Sequence, residues 1–523
     1  MTRNSGKSFA GIERRIAVAV FVALAALVLA AQARNVEFSR GPHGWVSSHG
    51  LAIASHADSS TGFVGYSLRF VDATGKSEYE YFDRNPVFFA AGLNLLIGRA
   101  GTLDGKVYAA RQAMNVIFLA SLAVAFLLVR ELTGDGGIAA GAALLTFSGW
   151  YFIFYKDMVH FEQPGLLGFL LVLLAILKYQ RTGGRRLLYV SALLAVSFGR
   201  GVVSLSLLAL WAAIDYTSVL AAEWPKPIAA TVLWLRREPV RVFAVAAALA
   251  AVYVGYNVAA EARLRGVSWS ETSIVDSAAR RSGFAASSAD SPSRWTTYLP
   301  AIARRLGKSA VPYALEAANT GSFGPRKFRA AFLLMAAMAL LAVGAFLRSV
   351  PAADRPFYFL LILSWVPWFL VMRRHTAPQV HDYTSIYFAG PLLAAFAALF
   401  GRLPPRFRNA AVAAAIALFV ASNITAGAAQ AKISAAESYT ADFDRVLTHV
   451  RAGDVIYVDG DPKELVPIRP YALGFYLSRQ TIGPAERATF AISSDRNFAP
   501  NNLTPENRVV FLFPMKRAPE RVR

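Results

Sequence analysis

Three short stretches of the chain set acids, bases and cations at spacings that suit group transfer. Tyr155-Lys156-Asp157-Met158-Val159-His160-Phe161-Glu162 brings two carboxylates and an imidazole onto one turn. His381-Asp382-Tyr383 sets an imidazole beside a carboxylate and a phenol. Ser197-Phe198-Gly199-Arg200-Gly201 holds one arginine between glycines, which permit close backbone approach, while the guanidinium offers a fork of donors that fits phosphate oxygens. Earlier in the chain, His49, Asp58 and Asp83 are the candidate bases. Such a set can take a proton from a hydroxyl or amine and neutralise a departing phosphate. Asp157, His160, Glu162, His381, Asp382 and Tyr383 can bind or orient a substrate, and Glu162 with His381 can ligate a divalent metal ion. Each group also has a plainer reading, as a solvated loop residue or, for Arg200, an arginine reaching up to the membrane interface.

The elements that carry these stretches are apolar runs. At 55% hydrophobic residues and a mean hydropathy of +0.40, a chain of 523 residues is too apolar to be water-soluble. Cysteine is absent, which excludes disulfides, thiolate zinc clusters and a cysteine nucleophile. The net charge of +21 would suggest nucleic acid in a soluble protein. Here many of the basic residues sit in short loops between apolar runs, so orientation in a membrane is the simpler explanation and no nucleic-acid partner is expected.

The sequence predicts an all-α polytopic membrane protein of about eleven transmembrane helices with a small C-terminal α/β domain outside the cytoplasm. Arg3, Lys7, Arg14 and Arg15 precede the first run, 16–33, and keep the amino end in the cytoplasm. Ala31-Gln32-Ala33 imitates a signal-peptidase site, and either outcome leaves the next segment outside. Further spans are expected over 107–131, 136–154, 164–180, 187–199, 201–220, 240–260, 328–348, 356–373, 383–401 and 409–429. Residues 86–98 are apolar but too short to cross, so they form an interfacial helix. The transmembrane unit is 1–429, with outer loops 34–106 and 261–327. Trp295, Tyr298, Arg304, Arg305 and Lys308 in the second loop suggest an amphipathic interfacial helix near membrane lipids. The outer domain is 430–523, with strand-like runs at Val455-Ile456-Tyr457-Val458 and Val509-Val510-Phe511-Leu512-Phe513. With alternating sides, all seven histidines fall outside, whereas random placement would scatter them.

Taken in order, these residues resemble the GT-C superfamily of membrane glycosyltransferases, specifically the bacterial relatives of the protein mannosyltransferases and of the lipid A aminoarabinose transferase. The resemblance covers residues 10–430. Tyr81 to Leu96 looks like the family's aromatic-Pro segment and short apolar helix. Tyr155, Met158, Glu162 and Leu166 stand at the spacing of its third outer turn, with Glu162 in the acidic position. Gly199-Arg200-Gly201 is similar to the Lys-Gly-Pro turn that holds the lipid phosphate, and His381-Asp382-Tyr383 matches a late outer motif. The family's Asp-Glu pair after the first span is missing, and Trp45, Ser47 and His49 stand in that neighbourhood. The resemblance implies a sugar transferase of the bacterial inner membrane that draws on a polyprenyl-phosphate-linked sugar, its acceptor being a glycan, lipid or protein. A transporter or flippase of an anionic lipid, or a non-catalytic protein that binds a lipid-linked sugar, would use the same groups differently.

Overall fold

The computed structural model describes residues 20–31, 42–82, 87–282, 295–318, 344, 354–372, 382–436, 448–451, 454–458, 481–493 and 509–512. Asp83, His381 and, apart from residue 344, the expected span 328–348 lie outside the described residues.

The first half alternates long apolar helices with structured loops. Val20–Ala31 (α1) leads to Pro42–His56 (α2), the hairpin Tyr66–Val71 (β1) and Ser77–Phe82 (β2), and the short helix Val87–Ile97 (α3). Then come Leu103–Thr133 (α4), Gly136–Phe147 (α5), Trp150–Phe154 (α6), Glu162–Thr182 (α7), Arg185–Phe198 (α8) and Gly201–Glu223 (α9). Pro227–Leu235 (α10), Glu238–Arg265 (α11), Ser273–Ser282 (α12), Trp295–Ala310 (α13) and Tyr313–Ala318 (α14) follow. The second half holds Arg355–Leu363 (α15), Val366–Met372 (α16), Ala389–Arg402 (α17) and Pro405–Ala436 (α18), then strands Val455–Val458 (β3), Thr481–Ile482 (β4), Phe490–Ser493 (β5) and Val509–Leu512 (β6).

Among the described residues, six helical segments are long and apolar enough to cross a membrane: Leu103–Thr133, Glu162–Thr182, Gly201–Glu223, Glu238–Arg265, Asp382–Arg402 and Pro405–Ala431. The chain is a multi-pass membrane protein. Their shared core is one large apolar cluster that takes in Phe118, Phe147, Phe169, Leu207, Phe357 and Phe419. Because lipid is as apolar as these side chains, dispersion and close packing hold the helices together rather than exclusion from water.

The expected span 136–154 is broken. The chain bends between α5 and α6, where the Trp150 amide donates to the Val311 carbonyl at 2.9 Å and the Tyr313 amide donates to the Ser148 carbonyl at 2.8 Å. The backbone after α13 thus satisfies the peptide groups that the break releases, which is the condition for irregular chain at such a depth. The amphipathic helix expected in the 261–327 loop is α13, with Tyr298 and Arg305 buried beneath it and Arg304 exposed.

The strand-like runs at 455 and 509 form strands, but their sheet is not confined to the carboxy-terminal region. It has six strands in the order β2-β1-β4-β3-β5-β6, with the first-loop hairpin at one end. Phe70 of β1 pairs in parallel with Ile482 of β4, and β3, β5 and β6 continue in parallel. The loop that carries α2 and α3 is therefore anchored to the end of the chain.

Candidate active site

The turn Tyr155 to Phe161, between α6 and α7, is gripped from several elements at once. The Tyr155 hydroxyl donates to Asp382 at 2.5 Å, at the start of the 3-10 turn Asp382–Phe388. Lys156 donates to the Asn423 side chain of α18 at 2.6 Å, and Asp157 pairs with Arg111 of α4 at 3.1 Å, all of them buried. The Val159 amide donates to the Ser47 hydroxyl of α2 at 3.2 Å. At this crossing Gly50 lies so near the turn that a Cβ there would collide with the Val159 carbonyl. Around these polar contacts Val46, Tyr151, Tyr155, Met158 and Tyr383 pack into a small apolar cluster of their own. Burial, and then the neighbouring Asp382 carboxylate, push the Tyr155 phenol far above its ordinary range, so it stays protonated and donates.

Glu162 opens α7, where a carboxylate favours the positive end of the helix, and it is fully buried. One of its oxygens takes the Arg200 guanidinium and the other accepts the Tyr387 hydroxyl at 2.5 Å. Arg200 stands at the N-cap of α9, its guanidinium 4.9 Å from the ring centre of Phe161 and 4.6 Å from that of Trp368. Arg200 is thus fixed by aromatic faces and a carboxylate while 16% of its side chain stays exposed. The turn lies tight against α7: a Cβ on Gly199 would meet the Gly165 Cα at 2.8 Å. The N-termini of α7 and α9, both positive dipole ends, converge here with the arginine.

Two hollows meet at this point. An apolar groove of about 450 Å³ runs between α3, α4, α7 and α8; Phe89, Leu93, Met114, Leu167 and Leu171 line its length. Pro164 and Phe198 line it too, each two residues along the chain from Glu162 and Arg200 respectively, and Gly165, next to Pro164, lies against Arg200, where a Cβ would meet that of the arginine at 3.3 Å. The second hollow is a small cavity of about 10 Å³, room for a single water, lined by His49, Gly50, Ile53, Phe89, Ala90, His160 and Phe161. Phe89 belongs to both hollows, and Phe161 carries Arg200 on its face. The wall helix α3 is held in place by Asn94, which donates to the Ala54 carbonyl at 2.7 Å, and by Phe88 against Phe198 with ring centres 5.6 Å apart.

No family model matches the chain, and no curated protein matches it. Among solved structures, the chain superposes on ArnT from Cupriavidus metallidurans in the apo state with a TM-score of 0.57 at 12% identity, over 92% of this chain and 86% of ArnT. The structure of the same ArnT bound to undecaprenyl phosphate gives 0.55 at 14%, over 91% and 86%. The Archaeoglobus fulgidus oligosaccharyltransferase, tethered with an acceptor peptide, gives 0.43 at 13%, over 90% of this chain and 64% of the enzyme. The chain has a GT-C-like fold.

Within this GT-C-like fold, the groups singled out from sequence divide clearly. His49, Asp157, His160, Glu162, Arg200, Asp382 and Tyr383 gather on or around the 155–162 turn, with the His160 and Tyr383 rings 5.4 Å apart. Asp58 instead caps the 3-10 turn Ser59–Thr61, accepting the Ser60 amide at 2.9 Å. Both oxygens of Glu162 are engaged, and no group of three histidines, cysteines or carboxylates suited to a metal occurs among the described residues, which do not include His381. Sequence reasoning passed over Arg111, Lys156, Trp368 and Tyr387. Arg111 had a signal, since an ionisable residue inside an apolar run is costly unless paired or useful. Tyr387 and Trp368 had none, being aromatic residues in apolar runs like many others.

Proposed function

We propose that the protein transfers a sugar from a polyprenyl-phosphate donor to an acceptor at the outer face of the bacterial inner membrane, with its amino end in the cytoplasm. The observation that carries this reading is that the apolar groove reaches Pro164 and Phe198, close in the chain to Glu162 and Arg200: a prenyl tail would lie in the groove and bring its phosphate toward the guanidinium. The ArnT structure holding undecaprenyl phosphate supports the same class of lipid.

The transfer balances as follows. An acceptor hydroxyl or amine attacks the anomeric carbon, the bond from that carbon to the phosphate oxygen breaks, and the acceptor proton passes to a base. The donor diester carries one negative charge and the departing polyprenyl phosphate gains another, so the demand on Arg200 rises as the bond breaks; interactions of this kind speed the step. Phe161, Trp368, Glu162 and Tyr387 fix the guanidinium beforehand. We assign the base to His49, which lines the small cavity beside Phe161. Asp157, His160, Asp382 and Tyr383 orient the acceptor.

The experiment supplies purified protein in lipid vesicles with a broad panel of labelled polyprenyl-phosphate sugars and measures free polyprenyl phosphate. Release from at least one donor is expected, and His49→Gln should lower it by about 10² to 10⁴ with donor affinity kept; Asp83→Asn tests the other candidate base in the same assay. No release from any donor would remove the reading.

A further inference from the structure

The groove beside Arg200 has a definite capacity, and this limits how much of a lipid the protein can read. Along α7 its lining runs from Pro164 to Leu171, a rise of roughly 10 Å. A five-carbon prenyl unit fills roughly 100 Å³ at protein packing density. A groove of about 450 Å³ therefore holds about four such units. Beyond it a longer tail lies in lipid whether the molecule is bound or free, and so gains nothing from the protein.

Resting on the donor reading above, we infer that the protein recognises only the phosphate and the first few prenyl units, and is indifferent to the rest of the chain. Small residues give the groove its width. Gly92 of α3 faces it with nothing within 4 Å of where a Cβ would stand, so a larger side chain there would project into the groove without striking the protein. At Gly168, by contrast, a Cβ would meet that of Ala195 at 2.8 Å. Gly92 is thus the position where lipid capacity can be reduced with the packing intact.

The test uses vesicle-reconstituted protein and radiolabelled geranylgeranyl phosphate, displaced by unlabelled geranyl, geranylgeranyl or undecaprenyl phosphate at matched mole fractions of lipid. The geranyl compound should compete at least about fivefold more weakly than the geranylgeranyl one, for want of dispersion contacts, while undecaprenyl phosphate stays within about threefold of it. Gly92→Leu should weaken both longer phosphates by about fivefold or more and leave the geranyl compound within about twofold. Undecaprenyl phosphate binding about tenfold tighter than geranylgeranyl phosphate would overturn the inference, as would a geranyl compound equal to the longer ones in wild type. If no prenyl phosphate of any length competes, the donor reading itself falls, an outcome distinct from either of these.

Discussion

Arg200 and Glu162 hold each other near the Pro164 and Phe198 end of the groove, and the carboxylate that fixes the arginine is also the group a lipid phosphate would have to share it with. Glu162→Gln keeps an oxygen for the Tyr387 hydroxyl and removes the negative charge. Binding of polyprenyl phosphate should then tighten about three- to tenfold, because like-charge repulsion across the site disappears. Turnover should fall by about tenfold or more, since the guanidinium loses the partner that aims it. Binding measured by displacement and turnover measured by phosphate release separate the two effects. Weaker binding in the variant would show that Glu162 supports the phosphate rather than competing with it.

Gly50 allows α2 to lie against the 155–161 turn, and that crossing brings His49 to His160. Gly50→Ala should destabilise the protein by about 1–3 kcal/mol, as overpacking in a rigid crossing does. Gly92→Ala, made in open space, should be neutral or gain up to about 1 kcal/mol from helix propensity. Unfolding temperatures of the two variants in one detergent check the contrast, and equal values would mean that α2 yields at the crossing.

Much of this site could be read from sequence because the groups that carry charge are scarce in an apolar chain. Asp157, His160, Glu162, Arg200 and Asp382 each stood out against their surroundings, and the short apolar stretch that became α3 was recognisable by being too short to span. The partners were hidden for the opposite reason. Tyr387, Trp368 and Phe161 look like packing residues, and only the bend of the chain shows that their rings and hydroxyl face Arg200 and Glu162. The broken span at Ser148 and Gly149 was hidden too, because the backbone that repairs it comes from Val311 and Tyr313. In the same way nothing local announces that Phe70 will pair with Ile482.

The pair Arg111 and Asp157 is buried between α4 and the turn. Removing one member leaves a charge without its counter-ion in a dry place, so Arg111→Ala should cost about 3–5 kcal/mol. Replacing both, as in Arg111→Met with Asp157→Leu, should recover most of that stability, because well-packed apolar side chains substitute for a buried ion pair. If Asp157 also orients the acceptor, the double variant melts near wild type yet stays inactive. A double variant that is stable and fully active would restrict Asp157 to a structural role.

Lys156 gives a prediction in pH. It is fully buried in the turn, and burial pushes its ammonium from 10.5 down to about 8, against the opposing pull of Asp157. Above the upper value Lys156 is neutral in both folded and unfolded chains. As the pH falls from 10.5 to 8 the unfolded chain takes up a proton that the folded one declines, so stability drops across that window. Below 8 both forms are charged and the loss is complete, at about 3 kcal/mol. Lys156→Met removes the titration, while every other group that titrates at high pH is shared by the two proteins. The difference in unfolding temperature, wild type minus variant, should therefore rise steadily between pH 8 and 10.5 and be flat below. A difference that stays level through that window would mean Lys156 keeps an ordinary ammonium, which its burial against Asn423 could not by itself sustain.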